Sequence, residues 1–145
     1  LFRVGKDSIR SSRFLVSVNN KKFEELSGRF KDLSYGLLLI SGIELVLKSF
    51  LRINNYVTND DLKNRYGHDY RSVYEDCRER DNLFKDEKLE RVISFLDEEF
   101  LNIKECRYII NKTEFIFDTE FFTTLEDKLI KPLEEKYKKD FNFIP

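Results

Sequence analysis

The sequence predicts an all-α fold, an up-and-down bundle of four to five helices. Apolar residues recur at steps of three and four along most of the 145 residues, which is the period of a helix with one buried face. Five glycines and two prolines offer few of the tight turns that many short strands need. Fourteen phenylalanines and seven tyrosines supply large side chains for a core. A chain of this length buries about 68–70% of its unfolded surface, so it needs no metal or disulfide for stability.

We expect one domain over residues 1–145, with the bundle spanning 20–140. The N-terminal segment 1–20 is the least certain part. Its stretch SSRFLVSVNN fits either a short strand or the end of a first helix.

The stretch from Lys21 to about Asn54 has the pattern of a central, mostly apolar helix. Its three glycines each cost about 1 kcal/mol of helix propensity, so a break near Gly28 stays open. The apolar positions step by four, three, seven and four residues, at Leu33, Leu37, Ile40, Leu47 and Leu51.

Two short elements follow this helix. Thr58 or Asn59 can cap a helical turn that runs to Arg65. A helix from His68 to about Arg80 comes next. It carries one apolar face, made of Tyr70, Val73, Tyr74 and Cys77.

The clearest helix runs from Asp86 to about Tyr108. Its apolar residues step by four, three, four and three, at Leu89, Ile93, Leu96, Phe100 and Ile103. Residues 109–118 read as a loop or a short extended segment. Thr123 and Glu126 match a capping box for a last helix to about Asp140, which Pro132 should kink or restart. Its inward residues would be Leu125, Leu129, Leu133 and Tyr137.

Composition excludes several classes of function. With 26 basic and 27 acidic residues the net charge is −1, so no overall basic field for gripping nucleic acid exists. The longest apolar run, residues 36–43, is far shorter than the roughly 20 residues of a membrane span. Cys77 and Cys106 match no metal-binding spacing. Two cysteines leave a disulfide as the alternative, but we expect reduced, half-buried thiols in a cytoplasmic protein, because no secretory signal is visible and the core is large enough without a bridge. We expect neither a metal nor a cofactor, and no Gly-rich phosphate loop, GxSxG or CxxC motif is present.

Glu44 and Lys48 are the first candidate site residues. Their i, i+4 spacing places them on one helix face, with the acid N-terminal to the base. An exposed pair of this kind stabilises a helix by about 0.3–0.5 kcal/mol. Alternatively, the pair is the one polar patch on a nearly buried helix, and this patch is a functional site.

His68, the only histidine, is the second candidate. It fits a structural or capping residue, or a group that titrates near neutral pH in a site. The cations in KNRYGHDYR (Lys63, Arg65 and Arg71), and more loosely Lys21, Lys22 and Arg29, form either a solvated face or a local phosphate patch.

Arg107 and Tyr108 close the long amphipathic helix. An arginine is favourable near any helix C-terminus, and a tyrosine packs with its hydroxyl at the rim. The alternative is a phosphate-binding guanidinium beside an aromatic plane for a base.

Taken in order, GIELVLKSFL, GHDY at a helix start and a later helix that ends in RY resemble the HEPN domains (higher eukaryotes and prokaryotes nucleotide-binding). The resemblance covers roughly residues 20–140. The matched positions are Glu44, Leu45, Leu47, Lys48, Leu51, Gly67, His68, Asp69 and Arg107.

This resemblance implies an all-α bundle, often a homodimer, in prokaryotic defence or toxin–antitoxin systems. Some HEPN members are metal-independent endoribonucleases, and others bind nucleotides or partner proteins, often beside a nucleotidyltransferase. The ribonucleases carry an arginine followed four to six residues later by a histidine. Here Arg65 stands too close to His68, and Lys112 stands where a histidine would follow Arg107. Enzyme activity is therefore left undecided.

A site hypothesis follows, in which three distant segments converge. Lys48 and Arg107 would hold phosphate, and Tyr108 would stack on a base. His68 and Asp69 would orient these groups or bond the sugar, and Glu44 would hold Lys48. Three functions stay open: a module that binds a nucleotide, RNA or a partner protein such as an antitoxin; a metal-independent ribonuclease using His68; and a purely structural interaction module.

Overall fold

The computed structural model describes residues 1–22, 29–105 and 119–138, and all regular structure in these ranges is helical. The helices are α1 (Phe2–Lys22), α2 (Arg29–Ile53), α3 (Asn59–Asn64), α4 (Tyr70–Arg80), α5 (Glu87–Glu105), α6 (Thr119–Leu125) and α7 (Lys131–Lys136). A 3₁₀ turn, Asn82–Lys85, links α4 to α5, and a π-helical turn, Glu126–Ile130, links α6 to α7. The all-α class is confirmed. The helix number exceeds the expected four to five, because the N-terminal segment forms a helix of its own and the last helix is divided.

The uncertain N-terminal segment is helix α1, which extends to Lys22. Lys21 and Lys22 therefore belong to α1 and not to the start of the central helix. α1 packs antiparallel against α2, and two glycines make the crossing close. A Cβ atom on Gly5 would lie 2.7 Å from the Gly42 carbonyl oxygen, and one on Gly42 would lie 2.8 Å from the Gly5 oxygen. Only residues without side chains allow this approach of two helix backbones.

The core surrounds α2, as the sequence predicted for its central helix. Phe50 of α2 stacks edge-on against Phe84 of the 3₁₀ turn, with ring centroids 4.7 Å apart. Cys77 of α4 is fully buried against the Leu47 carbonyl, so the expectation of a half-buried thiol is wrong at this position. Among the described side chains of α2, the others that are fully buried are Leu39, Ile43, Val46, Leu47 and Leu51. Within the described ranges, no helix combines the length and apolar character that crossing a bilayer demands.

The structure shows where two of the predicted helices, α3 and α4, begin. Thr58 caps α3 through a capping box with Asp61, which confirms the predicted cap. α4 begins at Tyr70, two residues later than predicted, because the Asp69 carboxylate accepts the Ser72 N–H and so serves as the N-cap. The apolar face predicted for this helix is confirmed, since Tyr70, Val73, Tyr74 and Cys77 are all buried.

α5 confirms the helix predicted from Asp86, and Leu89, Ile93 and Leu96 are fully buried. It runs antiparallel to α4, since Arg71 contacts Ser94 while Arg78 lies beside Glu90. The C-terminal end of α5 is therefore directed toward the end of the bundle where α4 begins. The side chains of Phe100 and Ile103, the predicted loop over 109–118 and Cys106 lie outside the described residues.

The predicted capping box at Thr123 and Glu126 is wrong. α6 begins at Thr119, so Thr123 lies inside a helix, and Glu126 pairs with Arg10 of α1. Pro132 lies in the first turn of α7, as expected for a residue that restarts the helix. The predicted inward residues Leu125, Leu129, Leu133 and Tyr137 are all buried.

Candidate functional site

Glu44 and Lys48 form a buried ion pair on the inner part of α2. Lys48 Nζ donates to Glu44 Oε1 at 2.6 Å, and the two residues are only 8% and 7% exposed. The reading of this pair as an exposed surface contact is therefore wrong. A buried pair must recover a desolvation penalty of several kcal/mol per ion, which requires further hydrogen bonds.

The further hydrogen bond goes to the turn between α3 and α4. Lys48 Nζ donates to the Gly67 carbonyl oxygen at 2.7 Å, so the ammonium uses two of its three donors on the protein itself. Gly67 has φ +53, in the left-handed region that glycine adopts at no steric cost. This hydrogen bond attaches the carbonyl group of the turn to α2, although Lys48 and Gly67 are nineteen residues apart in the sequence.

Two more contacts fix the same turn. The buried Tyr66 donates its hydroxyl to the Asp76 carboxylate of α4, and the exposed Arg65 lies 3.4 Å from the same carboxylate. Burial, followed by the hydrogen bond and the charge of Asp76, raises the pKa of Tyr66 to about 12, so the phenol stays protonated. The Asp69 carboxylate accepts the N–H and the hydroxyl of Ser72. Asp69 therefore acts here as a helix cap.

His68 stands out of this fixed turn. Its side chain is 90% exposed, and Nδ1 lies 3.5 Å from Glu44 Oε1, the oxygen that also accepts Lys48. The contact is long for a hydrogen bond but close enough for the carboxylate to attract a protonated imidazole. The structure thus brings Glu44, Lys48 and His68 together around one carboxylate oxygen, with Asp69 next in the chain.

The remaining predicted site residues divide into two groups. Arg107 and Tyr108 lie outside the described residues, as do the side chains of Lys21, Lys22 and Arg29. Arg71 does not belong to the cationic group around His68. Its guanidinium binds Glu75 at 2.8 Å and Glu90 at 3.1 Å, between α4 and α5.

Glu90 is the centre of that α4–α5 contact. Burial opposes its ionisation, but the hydrogen bond from Arg71 and the positive charges of Arg71 and Arg78 outweigh burial and hold the pKa of Glu90 below its ordinary value. Both arginines of this contact, Arg71 and Arg78, are thereby committed to joining the helices. Around the turn itself, the exposed cations are Lys63 and Arg65.

Sequence reasoning missed the Gly67 carbonyl and the Tyr66–Asp76 contact, although they determine where His68 lies. A short spacing is a signal for neighbours on one helix, whereas these contacts join residues that are nineteen and ten positions apart. Only the glycine itself hinted at a turn.

Searches for similarity gave no match to a protein-family model, to a curated protein or to a solved structure. In residues 1–22, 29–105 and 119–138, no three His, Cys, Asp or Glu side chains come together in a way that could hold a metal ion.

Proposed function

We propose that this chain is a HEPN-like helical module that binds the phosphate groups of a nucleotide or of RNA at the turn between α3 and α4. The observation that carries the proposal is the buried Glu44–Lys48 pair, which anchors the Gly67 carbonyl and so fixes the backbone from which an exposed histidine projects. Binding sites benefit from side chains held by a second layer of hydrogen bonds, because less freedom is lost when the ligand arrives.

The roles differ from those that the sequence suggested. Lys48 is almost fully buried and donates to two protein oxygens, so it supports the turn, while contact with phosphate falls to His68 and the exposed Lys63 and Arg65. An exposed imidazole N–H and two cationic side chains can each donate to phosphate oxygens. Arg107 and Tyr108 stay predicted members of the site. The direction of α5 supports them, because that helix leads toward the same end of the bundle.

A thermal-shift series with nucleoside mono-, di- and triphosphates and a short RNA tests the proposal. A ligand that binds only the folded chain adds about 2.7 kcal/mol of stability when its concentration is 100 times Kd. We expect a rise in melting temperature that is lost in His68→Ala and retained in Arg91→Ala, since Arg91 lies on the exposed face of α5 and pairs only with Glu87 among the described residues. No rise with any nucleotide or RNA would refute the proposal.

The Glu44–His68 contact favours a second function, metal-independent RNA cleavage. A carboxylate at Nδ1 orients an imidazole so that Nε2 can take a proton. In that reaction the 2′-oxygen of the substrate forms a bond to phosphorus, His68 accepts its proton, and the bond to the 5′-oxygen breaks as that oxygen gains a proton from water. Cleavage of a labelled RNA in EDTA by the wild-type chain, absent in His68→Ala, would establish this function. An intact RNA would exclude it without affecting the binding proposal.

A homodimer and a nucleotidyltransferase or antitoxin partner remain predictions of the HEPN resemblance. Light scattering of the purified chain tests the dimer. If nucleotides and RNA leave the stability unchanged while a partner protein co-purifies, the purely structural interaction module becomes the better description.

A further inference from the structure

A tyrosine and an arginine in cation–π contact lie at the other end of α4 from the His68 turn. The Arg80 guanidinium carbon sits 4.4 Å above the centre of the Tyr56 ring, and both side chains are exposed. An exposed guanidinium over a phenol ring presents a cationic surface of the kind on which unpaired nucleic-acid bases stack.

The tyrosine is held in place before any ligand arrives. Asn55 adopts a left-handed conformation, with φ 57, and the Tyr56 N–H donates to the Leu51 carbonyl at 3.0 Å. The Tyr56 ring also touches Phe50 of the core, and the next residue, Val57, is buried. The ring therefore has little freedom to lose on binding.

The charge of Arg80 is uncommitted, unlike that of its neighbours. Of the three arginines in α4, Arg71 and Arg78 pair with Glu75 and Glu90. In the described part of the chain, Arg80 has no carboxylate within ion-pair distance.

Two acids close to Arg80 in the sequence, Asp81 and Asp76, are already engaged. Asp81 pairs with Lys136 and accepts the Leu83 N–H at 2.9 Å, so its charge is offset. Asp76, one helical turn before Arg80, is held by Tyr66 and Arg65. Arg80 thus remains a positive group that suits an anionic ligand.

One face of α4 leads from this pair toward the proposed phosphate site, and we call this face the strip. Arg65 lies three residues before His68 and contacts Asp76, which shares a face of α4 with Arg80 because the two are four residues apart. Arg65 and Arg80 both act on the Tyr66 hydroxyl, where their charges oppose the rise in its pKa. The eleven residues of α4, Tyr70–Arg80, span about 16 Å along the helix axis, which is longer than a single nucleotide.

We propose that the ligand is a single strand of RNA, whose phosphate is held at the His68 turn while a base several nucleotides away stacks on the Tyr56–Arg80 pair. This inference rests on the proposed function and narrows it from a nucleotide to a strand.

Fluorescence anisotropy with labelled oligouridylates of four, eight and twelve nucleotides, with UMP as a competitor, tests the inference. We expect affinity to rise with length. Tyr56→Ala should weaken the twelve-nucleotide strand by about five- to one-hundred-fold, the value of one stacked base, and leave UMP competition unchanged. Arg80→Ala should do the same, and Tyr56→Phe should restore binding because it keeps the ring. Arg91→Ala is the matched surface control.

The outcomes separate this inference from the proposed function. If the strand binds in a His68-dependent manner but Tyr56→Ala and Arg80→Ala bind it as tightly as wild type, the strip is refuted and the phosphate site stands. A double-stranded RNA that binds as tightly as the single strand also refutes stacking. If the wild-type chain binds no RNA or nucleotide, both proposals fall. Loss of strand binding in Tyr56→Ala and Arg80→Ala, with none in His68→Ala, refutes the inference, because the strand would then bind without the His68 site.

Discussion

Replacing Lys48 with methionine should destabilise the fold more than any other single change at the candidate site. The substitution keeps most of the side-chain volume and removes the ammonium group. Glu44 then loses the donor at 2.6 Å, and the Gly67 carbonyl loses the donor at 2.7 Å. Each hydrogen bond to a charged group contributes about 1.5–3 kcal/mol, and breaking a buried pair from one side costs about 3–5 kcal/mol. The sum for two hydrogen bonds overlaps with the cost of one broken pair, and we expect the free energy of unfolding to fall by about 3–4 kcal/mol.

Urea unfolding followed by circular dichroism at pH 7 measures this loss. With a slope typical of a small protein, the midpoint should fall by about 2 M. Lys131→Met is the matched control, because Lys131 pairs with Asp127 at the same i, i+4 spacing and at 2.8 Å but on the exposed surface. Its midpoint should not move.

A double variant tests the origin of the loss. Glu44→Leu combined with Lys48→Met removes both charges, so no uncompensated carboxylate stays buried, and its stability should exceed that of Lys48→Met alone. The reasoning is refuted if Lys48→Met lowers the free energy of unfolding by less than about 1 kcal/mol. It is also refuted if adding Glu44→Leu to Lys48→Met lowers the stability further by the full cost of losing a second buried group.

Three further predictions concern the rest of the fold. Gly42→Ala should cost about 1–3 kcal/mol in urea unfolding, because its methyl group would press on the α1 backbone at 2.8 Å; an unchanged midpoint would show that the helices separate freely. Burial raises the pKa of Asp81, but hydrogen bonds from Lys136 and a backbone N–H outweigh it and hold that pKa below 3.8, so the stabilisation is present above pH 4 and is lost as pH falls through the folded-state pKa. Lys136→Gln should therefore flatten the dependence of the urea midpoint on pH below 4, and an equally steep dependence would contradict this. Burial raises the pKa of the Cys77 thiol well above its ordinary value, so in a Cys106→Ser background the folded chain should react with a disulfide reagent only as fast as it unfolds; rapid labelling would contradict the buried position.

Local patterns in the sequence predicted most of the helices, because a helix is determined by residues three and four apart. The Leu89–Ile93–Leu96 stripe and the Thr58 cap are examples, and both are confirmed. The same locality explains the wrong capping box at Thr123. A threonine followed three residues later by a glutamate also occurs inside helices, and only the helix start at Thr119 shows which case applies.

The candidate site was only partly predictable for the opposite reason. Spacing placed Glu44 and Lys48 on one face of a helix, and the position of His68 near them was a guess about tertiary packing. Whether the pair is buried depends on the turn that covers it. That turn is positioned by a carbonyl group, which every residue possesses and which therefore leaves no mark in the sequence.

The π-helical turn at Glu126–Ile130 explains how a strict four-residue repeat can stay in the core. Leu125, Leu129, Leu133 and Tyr137 are all buried, yet in a regular α-helix each step of four rotates the side chain by about 40°. The widened turn takes up this rotation by holding an additional residue. If the same residues formed an ordinary α-helix instead, the helix beyond the turn would rotate by about 100°. Tyr137 would then leave Asn54, its hydrogen-bond partner at 2.8 Å, so the irregular turn keeps this contact in place.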